Sequence, residues 1–207
     1  MPTASDILSG LYYLANTYAN VALIWHILFA GLVISLWWGR KLPNRLLALF
    51  SVFPLLSVSA LAWVSGNLFN GSVFLLFAVL LLISGLRVDT KPVLRVRGWP
   101  LATGILVLVF GLVYPHFLET GTFWRYLYAA PLGVIPCPTL SAVTGLALIF
   151  RGYGSRNWSL SLCIIGLFYG VFGAFRLGVT MDVVLLAGAS ALLLYVFQKK
   201  EPAVSPK

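Results

Sequence analysis

Apolar stretches of about twenty residues alternate with short polar gaps along most of the chain. A helix that crosses a bilayer needs about 17–25 apolar residues. Seven stretches approach that length. They run from Thr17 to Trp38, Leu46 to Val64, Phe69 to Leu86, Trp99 to Leu118, Leu132 to Phe150, Ser159 to Leu177 and Val183 to Gln198. The second and third are the shortest and could pair instead as a re-entrant hairpin. Residues 1–16 precede the first span. There Ser5-Asp6 could cap a short interfacial helix through Tyr13. This segment has no basic leader and does not read as a cleaved signal peptide. Residues 199–207 form a polar tail, read as disordered and cytoplasmic.

The charges give this pattern a direction. Arg40, Lys41, Arg45, Arg87, Lys91, Arg95, Arg97, Arg151, Arg156, Lys199, Lys200 and Lys207 fall in alternate gaps. Only Arg125 and Arg176 fall on the other side, where Asp6, Glu119 and Asp182 also lie. Cytoplasmic loops carry such an excess of Lys and Arg. The expected fold is therefore an all-α polytopic bundle of about seven transmembrane helices. Its N-terminus is outside, its C-terminus cytoplasmic, and its site the bacterial inner membrane.

Composition narrows the function. The chain is 60% hydrophobic and only 9% charged, against about 25% charged residues in a soluble domain. No part of it can form a separate soluble catalytic domain. The net charge of +9 is spread over several loops, which argues for anionic lipid headgroups as its partner and against nucleic acid. Trp37, Trp38, Trp99, Trp124 and Trp158 fall at span ends, where indole rings favour the interface.

The sharpest local motif is Pro136-Cys137-Pro138-Thr139. Its prolines remove N–H donors and restrict φ, so regular helix is expected from Thr139, whose hydroxyl would cap it. The helix N-terminus would suit an anion or a thiolate. Gly166, Gly170 and Gly173 give the sixth span a face that lets a neighbour approach closely. Cys137 and Cys163 lie at different depths, so a disulfide between them is not expected.

Tyr114-Pro115, the run from Pro131 to Thr139, and Leu177-Gly178-Val179 with Asp182 together resemble an uncharacterised bacterial multi-pass membrane family. That family carries Gly-x-x-Pro-Cys-Pro-Thr and a late Gly-x-x-x-Asp. The resemblance is best from about Leu101 to Leu194, and the loop from Glu119 to Ala130 departs from the usual pattern. It implies the membrane topology and marks Cys137 and Asp182 as family features. It implies no activity.

Two sets of polar residues are candidates for chemistry. His26 lies near the middle of the first span, where an ionisable group is a functional hypothesis. It could ligate haem, bind a pigment or relay a proton, or simply hydrogen-bond a neighbouring helix. At the outer helix ends lie His116, Glu119, Arg125, Cys137, Arg176, Asp182, Asn67 and Asn70. Of these, His116, Glu119, Cys137 and Asp182 could bind a metal ion or another ligand. Alternatively, Arg176 pairs with Asp182 or Glu119 to close the bundle. The last span has no lysine for a retinal Schiff base, and no nucleotide-binding, metalloprotease or triad motif is present. Three readings follow. The first is a non-catalytic accessory subunit of a larger membrane assembly, redox or photosynthetic, with partner subunits or further copies of itself. The second is a small transporter or ligand-binding protein with an outer site around Cys137 and Asp182. The third is a thiol or metal enzyme at Cys137.

Overall fold

The computed structural model describes residues 3–198. The tail expectation for 199–207 lies outside the described residues. Helices α1 (Ala4–Thr17) and α2 (Ala19–Trp37) are followed by α3 (Asn44–Phe50), α4 (Phe53–Val64), α5 (Leu68–Leu86) and α6 (Trp99–Val113). After one turn of helix, α7 (Tyr126–Ala129), come α8 (Pro136–Ile149), α9 (Arg156–Val171) and α10 (Val183–Phe197). No strand is present among the described residues; the one isolated bridge joins Pro43 to Pro92.

Five helical segments are long and apolar enough to cross a membrane: Ala19–Trp37, Asn44–Val64, Leu68–Leu86, Arg156–Arg176 and Thr180–Phe197. The second joins α3 and α4 through Ser51 and Val52. It and α5, at 21 and 19 residues, are each long enough to cross a membrane. Two shorter apolar helices, Trp99–Val113 and Pro136–Ile149, complete the bundle.

The shorter pair forms its centre. Every residue of α8 except Cys137 is buried. At about 1.5 Å per residue its 14 residues reach only about 21 Å, and its neighbours enclose it. It packs antiparallel to α6, with Gly104 against Ile149, Leu108 against Gly145 and Gly111 against Ala142. A methyl group on Gly104 would lie 2.8 Å from Ile149 Cγ1, and one on Gly111 would fall on the Ala142 backbone. These glycines allow the backbones themselves to touch. α9 receives α10 the same way: a methyl on Gly166 would lie 2.9 Å from Ala189 Cβ, and one on Gly170 2.8 Å from the Leu186 nitrogen.

The nine described basic residues of the alternate gaps, Arg40 to Arg156, gather at one end of the bundle. There Asn44 N donates to the Lys91 carbonyl at 2.9 Å, Val93 N to Leu42 at 2.8 Å and Val96 N to Ile149 at 3.0 Å. The opposite end carries a cap made of α1, α7 and the segments 114–135 and 177–182. Its own apolar cluster includes Leu11, Leu14, Tyr114, Phe117, Ile135 and Val179. Cys137 packs against both this cluster and the main core. Trp158 departs from the interfacial expectation. It is fully buried, with its ring centroid 4.7 Å from that of Tyr153.

Candidate functional site

Asp182 is the buried carboxylate of the structure, 2% exposed. The chain reaches it by an unusual route. α9 ends in one turn of wider π-helix, Phe172–Arg176, a geometry frequent at functional sites. Gly178 then turns the backbone with φ +72°. Val179 N donates back to the Gly173 carbonyl at 2.9 Å, and Asp182 closes a short 3₁₀ turn before α10. The Asp182 carboxylate lies directly on Gly173, where any side chain would displace it.

Tyr114 supplies the strongest partner. Pro115 cannot continue α6, and Tyr114 leaves the helix with its ring fully buried. Its hydroxyl donates to Asp182 Oδ1 at 2.6 Å. Cys137, the second residue of α8, faces the same carboxylate. On the far side of a small cavity, the Tyr169 hydroxyl of α9 donates to Asn70 Oδ1 of α5 at 2.8 Å. The cavity has a volume of about 20 Å³, which is room for one water molecule. Ile7 and Leu11 of α1 and Phe117 of the cap close it from outside.

The proline motif works differently from the sequence expectation. The helix begins at Pro136, not at Thr139. Pro136 and Pro138 occupy its first turn, where N–H groups have no intrahelical partner anyway. Thr139 is not the cap. Its hydroxyl donates to the Ile135 carbonyl at 2.7 Å and accepts from Gly133 N at 2.8 Å, which ties the preceding turn to the helix. Gly133 has φ +70° and lies under the Trp25 ring, so no side chain would fit there. Asp182 borders the cavity together with Pro136 and Cys137 of this helix N-terminus.

The other predicted residues do not meet here. Among the described residues, no group of three or more His, Cys, Asp and Glu could hold a metal ion. His116, Glu119, Cys137 and Asp182 are therefore not gathered into one four-ligand cluster. His116 stacks edge-on against Phe117 and Tyr12, with centroids 4.3 and 5.7 Å away, and its partial burial pushes its pKa down. Glu119 is exposed and its carbonyl accepts from Arg125 at 3.1 Å. Arg176 is exposed on the outside of the π turn, so it does not pair with the buried Asp182. Asn67 caps α5, accepting from Asn70 N at 3.0 Å.

His26 is buried as expected for a mid-span residue, but both ring nitrogens are in use. Nδ1 lies 2.7 Å from the Ala22 carbonyl, and Nε2 lies 2.7 Å from the Leu112 carbonyl of α6. Through these contacts the ring ties α2 to the end of α6. Cys137 and Cys163 are both free thiols. Of the sequence candidates, then, the fold joins Cys137, Asp182 and Asn70. It adds Tyr114 and Tyr169, two buried hydroxyl donors that composition alone does not distinguish from other aromatics. No family model, curated protein or solved structure matches this chain, so its function rests on the geometry of this site.

Proposed function

We propose that the chain is a seven-span inner-membrane protein, with its N-terminus outside and C-terminus inside, that binds a small ligand at its outer end around Asp182 and Cys137. The observation that carries this reading is the buried Asp182 carboxylate beside a small, partly enclosed cavity, at the junction of α6, α8, α9 and α10. An ionisable group in such a place costs stability and is kept where it has a task. The small cavity and the α1 cover suit a binding or carrier role better than an open channel.

Orientation is tested with single cysteines in a Cys137→Ala/Cys163→Ala background. Gly121→Cys is expected to react with an impermeant maleimide on intact cells, and Arg95→Cys only after permeabilisation. The reverse pattern overturns the orientation. Binding is tested on the full chain in lipid nanodiscs by thermal unfolding against a panel of small cations, amines and polar solutes. At least one member is expected to raise Tm for the wild type and not for Asp182→Asn. A panel in which no member distinguishes the two overturns the ligand-binding reading.

The accessory-subunit reading draws on a different observation. An open groove of about 680 Å³ runs along the outside of α9, walled by Leu167, Phe168, Val171, Phe172 and Phe175, with Arg176 at its end. Native mass spectrometry from the protein's own membrane tests it. A co-purifying subunit or pigment supports it, and a bare chain or simple homo-oligomer removes it.

A further inference from the structure

We propose that the Asp182 cavity binds a monovalent cation no larger than a water molecule, either a proton or Na⁺ or Li⁺, exchanged at the outer end of the bundle. This rests on the ligand-binding reading above and names its ligand class.

The argument begins with charge. Each element packed around Asp182 presents a neutral group. The end of α6 offers the Tyr114 hydroxyl, α8 the Cys137 thiol, α9 the Tyr169 hydroxyl and α5 the Asn70 amide. α1 offers only Ile7 and Leu11. His116 stacks on the far side of Phe117, and Arg176 is exposed. The N-termini of α8 and α10 contribute roughly half an elementary charge each at most, spread over donors that also face other groups. A carboxylate taken out of water without a paired cation either takes up a proton or holds a cation.

Size and ligand chemistry agree. The cavity of about 20 Å³ admits one water or one small ion and excludes an amine or an amino acid. Its polar lining of carboxylate, phenol and amide groups presents the hard oxygen atoms that small cations prefer. The negative charge of an ionised Asp182 disfavours an anion in the same cavity.

The way out is through α1. This helix reaches the bundle through Leu11, Leu14 and Ala15 and is pinned to the cap by Asn16. The Asn16 Nδ2 donates to the Phe117 carbonyl at 2.9 Å, and its Oδ1 accepts from Glu119 N at 2.9 Å. Tyr18, with non-helical φ −106° and ψ 29°, separates α1 from α2.

The test uses the full chain in nanodiscs of neutral lipid, unfolded thermally from acid to neutral pH at constant ionic strength. NaCl, LiCl, KCl and choline chloride are compared. If the occupant is a metal cation, Na⁺ or Li⁺ raises the wild-type Tm saturably over choline, and Asp182→Asn loses the response. If it is a proton, all four salts behave alike, and the wild-type and Asp182→Asn curves differ in their pH dependence. The second measurement leaves Asp182 intact. The chain has three aspartates, Asp6, Asp89 and Asp182, and the first two are exposed. In Asp6→Asn/Asp89→Asn protein labelled with ¹³C-aspartate, the infrared carboxyl bands report Asp182 alone. A band that changes with pH or with Na⁺ supports the proposal. A band unmoved by pH, Na⁺ and Li⁺ overturns it. A Tm response to some other member of the panel, still lost in Asp182→Asn, would then leave the ligand-binding reading standing while this ligand class falls.

Discussion

The two ends of the bundle use polar residues in opposite ways. At the basic end the guanidinium and ammonium groups are mostly exposed, and the chain is held by backbone hydrogen bonds between connections. The buried polar contacts there are structural: Asn44 Nδ2 donates to Asp89 Oδ1 at 2.8 Å, and the Ser51 and Tyr153 hydroxyls lie 3.0 Å apart. At the capped end the two arginines stay outside, while a carboxylate, two phenols, a thiol and an amide are turned inward around a cavity. Exposed charges need no partner and serve to orient the chain. A buried carboxylate without a cationic partner calls for an explanation, and so the functional reading belongs to the capped end.

Four changes would break or sharpen this contrast. The largest effect is expected in the shared centre. Gly145→Leu drives a side chain into the Leu108 backbone of α6. It should cost more than the about 1–3 kcal/mol of ordinary overpacking, seen as loss of monodisperse protein on gel filtration. Survival with an unchanged Tm would mean that α6 and α8 do not pack as described.

Next comes Gly173→Ala. Its methyl would occupy the position of the Asp182 carboxylate, so it should cost about 1–3 kcal/mol and also abolish the Asp182-dependent Tm response. An equivalent change at the lipid-facing Gly31, which has open space around it, should do neither.

A smaller effect is expected for Asn16→Ala. It removes the two hydrogen bonds to the cap, of about 1 kcal/mol each, together with one to the Tyr12 carbonyl within α1, and frees α1 from the cap. In a Cys163→Ala background, Cys137 should then react faster with a small maleimide. An unchanged rate would show that α1 does not control access.

The smallest effect concerns His116. Its folded pKa lies below the ordinary value because burial disfavours the imidazolium. The unfolded chain therefore binds more protons between the two values, and stability rises with pH there. The contribution is complete above the ordinary histidine range near 6.5 and is lost as pH falls through the lower folded value. Hydrogen-exchange protection factors of the cap, corrected for the intrinsic rate at each pH, should fall over that acidic window, and His116→Phe should remove the change. Protection factors that fall toward alkaline pH instead would contradict the burial.

Parts of this contrast are legible in the sequence and parts are not. The gaps and the basic bias can be read directly, because hydropathy and charge are local properties; the prolines mark a helix start, which packing places at Pro136 rather than at Thr139. Cys137 and Asp182 stand out as unusual residue types in apolar surroundings. The residues that complete their site do not. Tyr114 and Tyr169 resemble the chain's many other aromatics until packing buries them. Trp158 has the sequence position of an interfacial anchor, yet it lies in the core beneath Tyr153. His26 gives no sign along the chain that the Leu112 carbonyl is brought to its second nitrogen.

The sequence by itself determined that this is a helical membrane protein with its basic loops on one side, because about twenty apolar residues in a row and a segregated charge pattern have few other solutions. Only the tertiary structure decided which helix lies at the centre and which polar groups share a cavity. Lipid and protein interior are equally apolar, so a span that faces lipid and one that is enclosed, such as α8, read alike along the chain. Their difference arises from glycine-mediated contacts and from hydrogen bonds between residues as far apart as Tyr114 and Asp182.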